Sequence, residues 1–210
     1  MTTDRDTTNG SAISATEQTR AARLGAMLFR KRSWLPVPFV LVALLVPGRS
    51  SATLWIIGGA LIVFGEGIRL AGVAAAGTVT RRRSRNVQRL VTYGAFAWVR
   101  NPLYVGNFFI WMGFVVASGV LLFLPLAIVL FAVEYTLIVA YEEGVLESIF
   151  GDEYLSYKRR TPRWIPRPPT NPSTGPHHWA EAWRSEVSTF LQYAALVAAL
   201  IIKARVLNSR

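Results

Sequence analysis

LVTYGAFAWVRNPLYVG, residues 90–106, is the stretch that decides how this chain folds, because a basic loop meets an apolar helix within it. Asn101 stands before Pro102, and a residue before proline is disfavoured in the helical conformation. Pro102 itself suits the first turn of a helix, where its missing N–H costs nothing. We therefore predict a shaped loop that enters a membrane helix, with polar and aromatic side chains gathered where water meets lipid.

The composition places the chain in a membrane. Hydrophobic residues make up 52% of it, charged residues only 17%, and the mean hydropathy is +0.33. A soluble domain carries about a quarter charged residues, and a spanning helix needs about 20 mainly apolar ones. The sequence predicts an all-α, polytopic membrane helix bundle with about five transmembrane helices. These are Trp34–Val46, Thr53–Ala76, Leu103–Ala117, Val120–Ala140 and Val187–Ile202, of which the first and last are short.

Basic residues are unevenly distributed between the two ends of the predicted helices. Six of the 23 precede the first span, six lie in Thr78–Arg100 and six in Tyr141–Glu186, whereas the Ser118-Gly119 turn has none. Basic loops stay in the cytoplasm. The sequence thus predicts an integral protein of the plasma (inner) membrane whose two large loops face the cytoplasm.

The net charge of +11 favours contact with anionic membrane lipids over nucleic acid, because the charges flank apolar spans and no recognition module is visible. The absence of cysteine excludes disulfides and thiolate metal sites. His177 and His178 have no further ligand near them in the sequence, so we expect no metal site.

The chain divides by composition into four parts. Residues 1–29 are polar and are predicted to be disordered or amphipathic, and residues 30–167 form the membrane core. A Pro-rich connector follows at 168–186, and a C-terminal, membrane-embedded helix at 187–210. Glu66 and Arg69 in the second span are predicted to pair, since they lie three residues apart on one helix. The glycines of that span are predicted to allow close helix packing; they are Gly58, Gly59, Gly65, Gly67 and Gly72.

A second set of motifs lies about forty residues after the first. It runs YEEG at 141–144, FGDEYLSYK at 150–158 and TPRWIP at 161–166. The two sets in this order resemble the isoprenylcysteine carboxyl methyltransferases, integral-membrane enzymes related to the phospholipid methyltransferases that use S-adenosylmethionine. The resemblance covers Val87–Pro166.

The resemblance implies a methyltransferase that takes S-adenosylmethionine between a cytoplasmic loop, Thr78–Tyr104, and a lid, Tyr141–Arg167. The acceptor it implies is a lipid-soluble carboxylate or amine, or a lipid-anchored molecule, that enters from the bilayer. The cofactor-binding residues that it implies are Gln88, Leu90, Val91, Phe96, Asn101, Pro102, Leu103, Tyr104 and Glu142.

The charged residues at the same boundary carry chemistry of their own. An ionised carboxylate at Glu142 or Glu143 can accept hydrogen bonds from ribose or pair with an ammonium group. We predict catalytic roles for Arg100, Glu142 and Glu143, since Arg100 can neutralise an anionic group. Arg163 is predicted to serve the substrate in the same way. Glu134 stands inside an apolar span, where an unpaired charge is costly, and is predicted to be structural or to line the acceptor cavity.

Three positions depart from the family pattern. Asn101 replaces a usual histidine and keeps hydrogen bonding, while Phe96 replaces a usual tyrosine and keeps the ring. Ile138 stands where an arginine serves the acceptor carboxylate in prenylcysteine enzymes.

Two alternatives stay open at this point. Membrane sterol reductases share a related helical core and bind NADPH, whose 2′-phosphate the Arg81–Arg85 cluster could hold. A non-catalytic membrane scaffold of the same architecture is the other, and the changes at Asn101 and Phe96 keep it open.

Overall fold

A computed structural model describes residues 23–77, 89–170 and 173–208. Within these ranges the chain is helical and has no β-strand, which confirms the all-α prediction. The helices are α1 (residues 23–30), α2 (Pro36–Leu45), α3 (Ala52–Ala76), α4 (Ala95–Trp98), α5 (Pro102–Ala117), α6 (Leu124–Phe150), α7 (Asp152–Arg160) and α8 (Trp179–Asn208), with a 3₁₀ turn at Leu121–Phe123 before α6.

Three helical stretches of the described chain are long and apolar enough to cross a membrane, so this is an integral membrane protein. They are Ala52–Ala76, Leu121–Phe150 and Trp179–Val206. The other two predicted spans form the shorter apolar helices α2 and α5, so the predicted number of five is not reached by length. Helix α2 rises only about 15 Å at 1.5 Å per residue, half of a hydrocarbon core of about 30 Å.

Helices α3 and α5 pack closely because glycines face each other along both. A Cβ atom on Gly58 would lie 2.5 Å from the Gly113 carbonyl oxygen, and one on Gly65 would lie 2.5 Å from that of Gly106. Small residues let two helix backbones approach closely in a membrane. The glycine prediction is confirmed at these positions and at Gly72. It is wrong for Gly59 and Gly67, where a Cβ atom would meet nothing within 4 Å in the described part of the chain.

The turn before α3 meets the turn after α5 at one end of the bundle. Gly119 has a φ of 74°, and a Cβ there would lie 2.5 Å from the backbone of Arg49. The Ser50 hydroxyl donates to the Ala117 carbonyl oxygen over 2.9 Å. Since Ser51 caps α3 through Leu54 N–H at 3.3 Å, this end of the two helices is fixed.

The C-terminal helix is longer than the sequence suggested. Helix α8 begins at Trp179, inside the predicted connector 168–186, and the His178 N–H donates to the Ala74 carbonyl oxygen over 2.7 Å just before it. Glu186, also assigned to the connector, is fully buried within α8. In the N-terminal segment, residues 23–30 form α1.

The two ends of the bundle should face opposite sides of the membrane. Single cysteines are introduced into this cysteine-free chain at Thr174 or at Arg49, two exposed positions at opposite ends of the bundle. Positive charge keeps the Thr174 end inside, so an impermeant thiol reagent should label intact cells at Arg49→Cys only. Equal labelling of both, with permeabilised cells as the control for reactivity, would refute this orientation.

Candidate functional site

A cavity of about 990 Å³ lies where the two sequence motifs meet. Its walls come from α2, α3, α5, α6, α7 and α8 and from the loop before α5. Small-molecule sites in proteins have volumes of about 300–1,000 Å³. The space is therefore large enough for a cofactor together with part of a second molecule.

Most of the predicted site residues line this one cavity. They are Leu90, Val91, Phe96, Arg100, Asn101, Pro102, Leu103, Tyr104, Glu142 and Glu143. Gln88 lies outside the described residues. Arg163 and Glu134 do not line it.

The loop before α5 has the shape that its sequence predicts. Asn101 is non-helical, with φ −123° and ψ 55°, and Pro102 opens α5 in its first turn. Gly94 adopts a φ of 60°, which favours glycine, where the chain turns into the short helix α4. The Tyr93 hydroxyl donates to the Ala75 carbonyl oxygen over 2.9 Å and ties the loop to the end of α3.

Glu142 has a cationic neighbour that its local sequence does not reveal. Arg32 follows α1 and is far from Glu142 in the sequence. Its Nη1 lies 3.4 Å from Glu142 Oε1. The Tyr104 hydroxyl also interacts with this carboxylate. A carboxylate offers about four lone-pair sites, so the contacts with Arg32 and Tyr104 leave it able to accept further hydrogen bonds from a ligand.

Glu143 is the centre of a buried ion-pair cluster. The exposed fraction of this residue is 3%. Arg100 Nη2 lies 3.0 Å from Oε1, Arg163 Nη2 lies 2.5 Å from Oε2, and Lys158 Nζ lies 3.9 Å from Oε2. The cluster joins α6, α7 and the segments on either side, which makes Glu143 a positioning residue for this cavity wall.

Arg100 uses its remaining donors on backbone carbonyl groups. Its Nη1 donates to the carbonyl oxygens of Lys158 at 2.7 Å and Thr161 at 2.9 Å. With Glu143 on the other two nitrogens, every nitrogen of the guanidinium has a partner. The geometry thus gives Arg100, like Arg163, a role in holding the lid.

The lid closes on the loop through backbone contacts as well. The Arg100 N–H donates to the Pro162 carbonyl oxygen at 2.9 Å, and the Arg167 N–H donates to that of Trp98 at 3.0 Å. The Tyr157 hydroxyl donates to the Phe96 carbonyl oxygen at 2.7 Å. Burial raises the pKa of Tyr157 above its usual range, so the hydroxyl keeps its proton for this bond.

Glu134 lies apart from the cavity. Its side chain is half-buried in α6 beside the exposed residues Ala132 and Val133. Its Oε2 is buried and has no hydrogen-bond partner within the described part of the chain. Glu134 is not among the side chains that line the cavity.

A second polar cluster adjoins the cavity at a greater depth along α3 and α5. Arg69 Nε lies 3.3 Å from Glu66 Oε2, which confirms the predicted pair. Arg69 also donates to Asn107 Oδ1 at 2.5 Å and to both Glu186 oxygens at 3.0 and 3.1 Å. The Tyr193 hydroxyl donates to Glu66 Oε2 at 3.1 Å.

Sequence reasoning missed several residues that belong to these clusters or line the cavity. Arg32 and Glu186 lie outside the recognised motifs, and no local pattern links them to their partners. Asn107 and Tyr135 carried a usable signal. Asn107 follows Leu103 by four residues on the cavity face of α5, and Tyr135 is a buried aromatic residue of α6 that also lines the cavity.

Comparison with known proteins supports the resemblance. A family model described as phospholipid methyltransferase matches residues 53–153. The protein-S-isoprenylcysteine O-methyltransferase of Homo sapiens is 34% identical over 147 residues, covering 64% of this chain and 48% of that protein. The protein-S-isoprenylcysteine O-methyltransferase B of Arabidopsis thaliana is 32% identical, with 50% and 56% covered.

A relative with a different name is equally similar. The nickel-cobalt-cadmium resistance protein NccN of Alcaligenes xylosoxydans xylosoxydans is 32% identical over 138 residues, covering 64% of this chain and 63% of that protein. This chain spans about half the length of the isoprenylcysteine methyltransferases it matches. No solved structure matches it. Its described residues hold no group of three or more His, Asp or Glu side chains that could bind a metal ion.

Glu143→Gln should destabilise the protein markedly. Removing one partner of a buried ion pair costs about 3–5 kcal/mol because the other charges stay buried without compensation. The measurement is thermal unfolding in detergent, with Glu153→Gln on the exposed face of α7 as the control. Equal melting temperatures for the two variants would show that the cluster does not hold the lid.

Proposed function

We propose that this chain, which is similar to the isoprenylcysteine carboxyl methyltransferases, is a membrane methyltransferase that takes S-adenosylmethionine as its methyl donor. The observation that carries the proposal is the single cavity into which both sequence motifs place their side chains. Glu142, Tyr104 and Asn101 come from separate elements and line the same space.

The residues present fit this cofactor. Leu90, Val91 and Phe96 offer an apolar surface for a flat adenine ring, and Glu142 offers carboxylate oxygens for ribose hydroxyls or an ammonium group. Tyr104 and Tyr135 lie with ring centroids 4.9 Å apart on the cavity wall. An aromatic face stabilises a nearby cation by about 0.5–2 kcal/mol, which suits a sulfonium.

When bound, S-adenosylmethionine supplies an electrophilic methyl group and a neutral leaving group. The chain's own contribution is then to position the two reactants and to exclude water. Holding two reactants in line can lower a barrier by about 7–11 kcal/mol. The Glu143 cluster fixes the lid over the loop, and Glu142 with Asn101 orients the polar end of the donor.

The acceptor in this proposal is membrane-soluble. The cavity extends from the polar boundary down between α2, α5 and α8, where its walls are apolar. Ile138 is fully buried in α6 and does not line the cavity, so it supplies no cation for an acceptor carboxylate. A prenylated cysteine is therefore not the required acceptor in this proposal.

Glu142→Gln should weaken binding of S-adenosylhomocysteine about 10- to 100-fold. A hydrogen bond to a charged group contributes about 1.5–3 kcal/mol, and about 1.4 kcal/mol is a factor of ten. Calorimetry on the purified protein measures the effect, with the exposed Glu181→Gln on α8 as the control. Unchanged affinity would show that Glu142 and Arg32 form only a structural pair. Binding of NADPH without binding of S-adenosylmethionine or S-adenosylhomocysteine would refute the proposal.

Methyl transfer should appear in a lipid fraction. Membranes that contain the protein are given S-adenosylmethionine with a radioactive methyl group, together with either total lipid extract, a soluble metabolite pool or a farnesylcysteine analogue. We expect label in the lipid extract. The farnesylcysteine analogue should be a poor acceptor, because Ile138 supplies no cation for its carboxylate and losing such a charged contact costs about 2–5 kcal/mol in binding. Efficient methylation of the farnesylcysteine analogue would contradict the inference from Ile138, and label confined to the soluble pool would contradict entry from the bilayer.

A further inference from the structure

One face of the C-terminal helix forms a wall of the cavity. The residues of α8 on this face are Thr189, Gln192, Tyr193 and Leu196. Their spacing of three and four residues places them on one side of a helix. Helix α8 lies beyond both recognised motifs and beyond the residues that the family model matches.

The opposite wall comes from α2 with the same spacing. Pro36, Phe39, Val40 and Ala43 face the cavity there, and Ile110 and Phe114 of α5 form the back. Both α2 and α8 begin at the end of the bundle where the motifs lie. We call the space between these faces the α2–α8 slot.

The slot is polar at one end and apolar at the other. Thr189 and Gln192 lie about a third of the way along α8, and Asn107 on α5, which is bonded to Arg69, also lines this end. Further along, Leu196 faces Ala43, Ile110 and Phe114 in one apolar cluster. A molecule with a polar head and an apolar chain matches this gradient.

The apolar end of the slot is closed. Leu200 is 2% exposed and packs against Ala43, Ile110 and Phe114. The Lys203 ammonium group donates to the Ala43 carbonyl oxygen at 2.6 Å and joins the two helices just beyond. From Thr189 to Leu200 the helix rises roughly 16 Å, at 1.5 Å per residue, so the slot has a defined length.

Helix α8 is held in place by a buried ion pair. Both oxygens of Glu186 accept from Arg69 Nη2, at 3.0 and 3.1 Å, and the Glu186 side chain is fully buried. The Tyr193 hydroxyl adds a bond to Glu66. These bonds fix α8 against α3, and the wall that it presents is consequently rigid.

We propose that the α2–α8 slot holds the single apolar chain of the methyl acceptor and selects its length, with Ala43 as the end wall and Leu200 packed behind it. The inference rests on the proposed function, because the slot opens into the part of the cavity that Tyr104 and Glu142 line. A chain lying in the slot places its head group beside Asn107, next to Tyr104 on the same face of α5. Ala43 and Leu200 are then specificity-determining residues.

The experiment uses the full chain in lipid nanodiscs and straight-chain primary amines of increasing length with a diazirine at the chain end. After irradiation, mass spectrometry of peptides locates the label. We expect the diazirine of chains that fill the slot to label the neighbourhood of Ala43 and Leu200. Shorter chains should label near Val40 and Leu196, and chains too long for the slot should label neither set.

Two variants test the length rule. Val40→Phe narrows the middle of the slot and Ala43→Leu fills its end, while Ala198→Leu on the exposed side of α8 is the matched control. Excess bulk in a packed site should lower end-wall labelling by about fivefold or more. Val40→Phe keeps the test valid if Ala43→Leu fails to fold, and thermal unfolding of each variant establishes that it is folded.

The outcomes separate this inference from the proposed function. The slot is supported as the acceptor site if the protein binds S-adenosylhomocysteine and two further results hold. End-wall labelling should depend on chain length, and it should be lost in the folded slot variants. Labelling spread equally over the exposed residues Val63 of α3 and Val133 of α6 overturns it, while S-adenosylhomocysteine binding leaves the proposed function intact. End-wall labelling without any binding of S-adenosylhomocysteine indicates a lipid site and overturns both.

Discussion

The ion pairs of the buried Glu143 carboxylate with Arg100 and Arg163 hold the elements of the site together. A charge removed from water is costly unless it is paired and hydrogen-bonded. Here Arg100 and Arg163, from different segments, compensate the buried charge of Glu143. Their ion pairs hold the lid against the loop before α5. The neighbouring residue, Glu142, faces the cavity, where it contacts Arg32 and the Tyr104 hydroxyl. Of these adjacent carboxylates, Glu143 is therefore enclosed by cations, whereas Glu142 keeps a face toward the cavity.

The same principle acts deeper in the bundle. Arg69 is held by Glu186 and Glu66, and these bonds attach α8 to α3. The glycine contacts between α3 and α5 determine how closely those helices approach, and Asn107 then lies within reach of Arg69. Two polar clusters consequently border one cavity, one beside the loop before α5 and one beside Asn107 of α5. Apolar helix faces enclose the rest of the space.

Local sequence predicted the parts of this structure that local forces determine. Asn101-Pro102 fixed the entry into α5, apolar runs located the helices, and the spacing of Glu66 and Arg69 predicted their pair. Contacts between distant segments left no such pattern. Arg32 reaches Glu142, and Glu186 reaches Arg69, only after the helices have packed. The start of α8 at Trp179 was missed for the same reason, since tertiary burial of Glu186 stabilises helix where prolines nearby suggested a connector.

In the proposed function, the cavity between the loop before α5 and the lid holds the methyl donor. Ultraviolet cross-linking of radioactive S-adenosylmethionine to the purified protein, followed by peptide mapping, tests it most directly. We expect label in the peptide that contains Leu90–Tyr104 and in the peptide that contains Tyr141–Tyr157. Excess S-adenosylhomocysteine should abolish the labelling of both peptides. Label confined to α8, or label that S-adenosylhomocysteine does not displace, would contradict it.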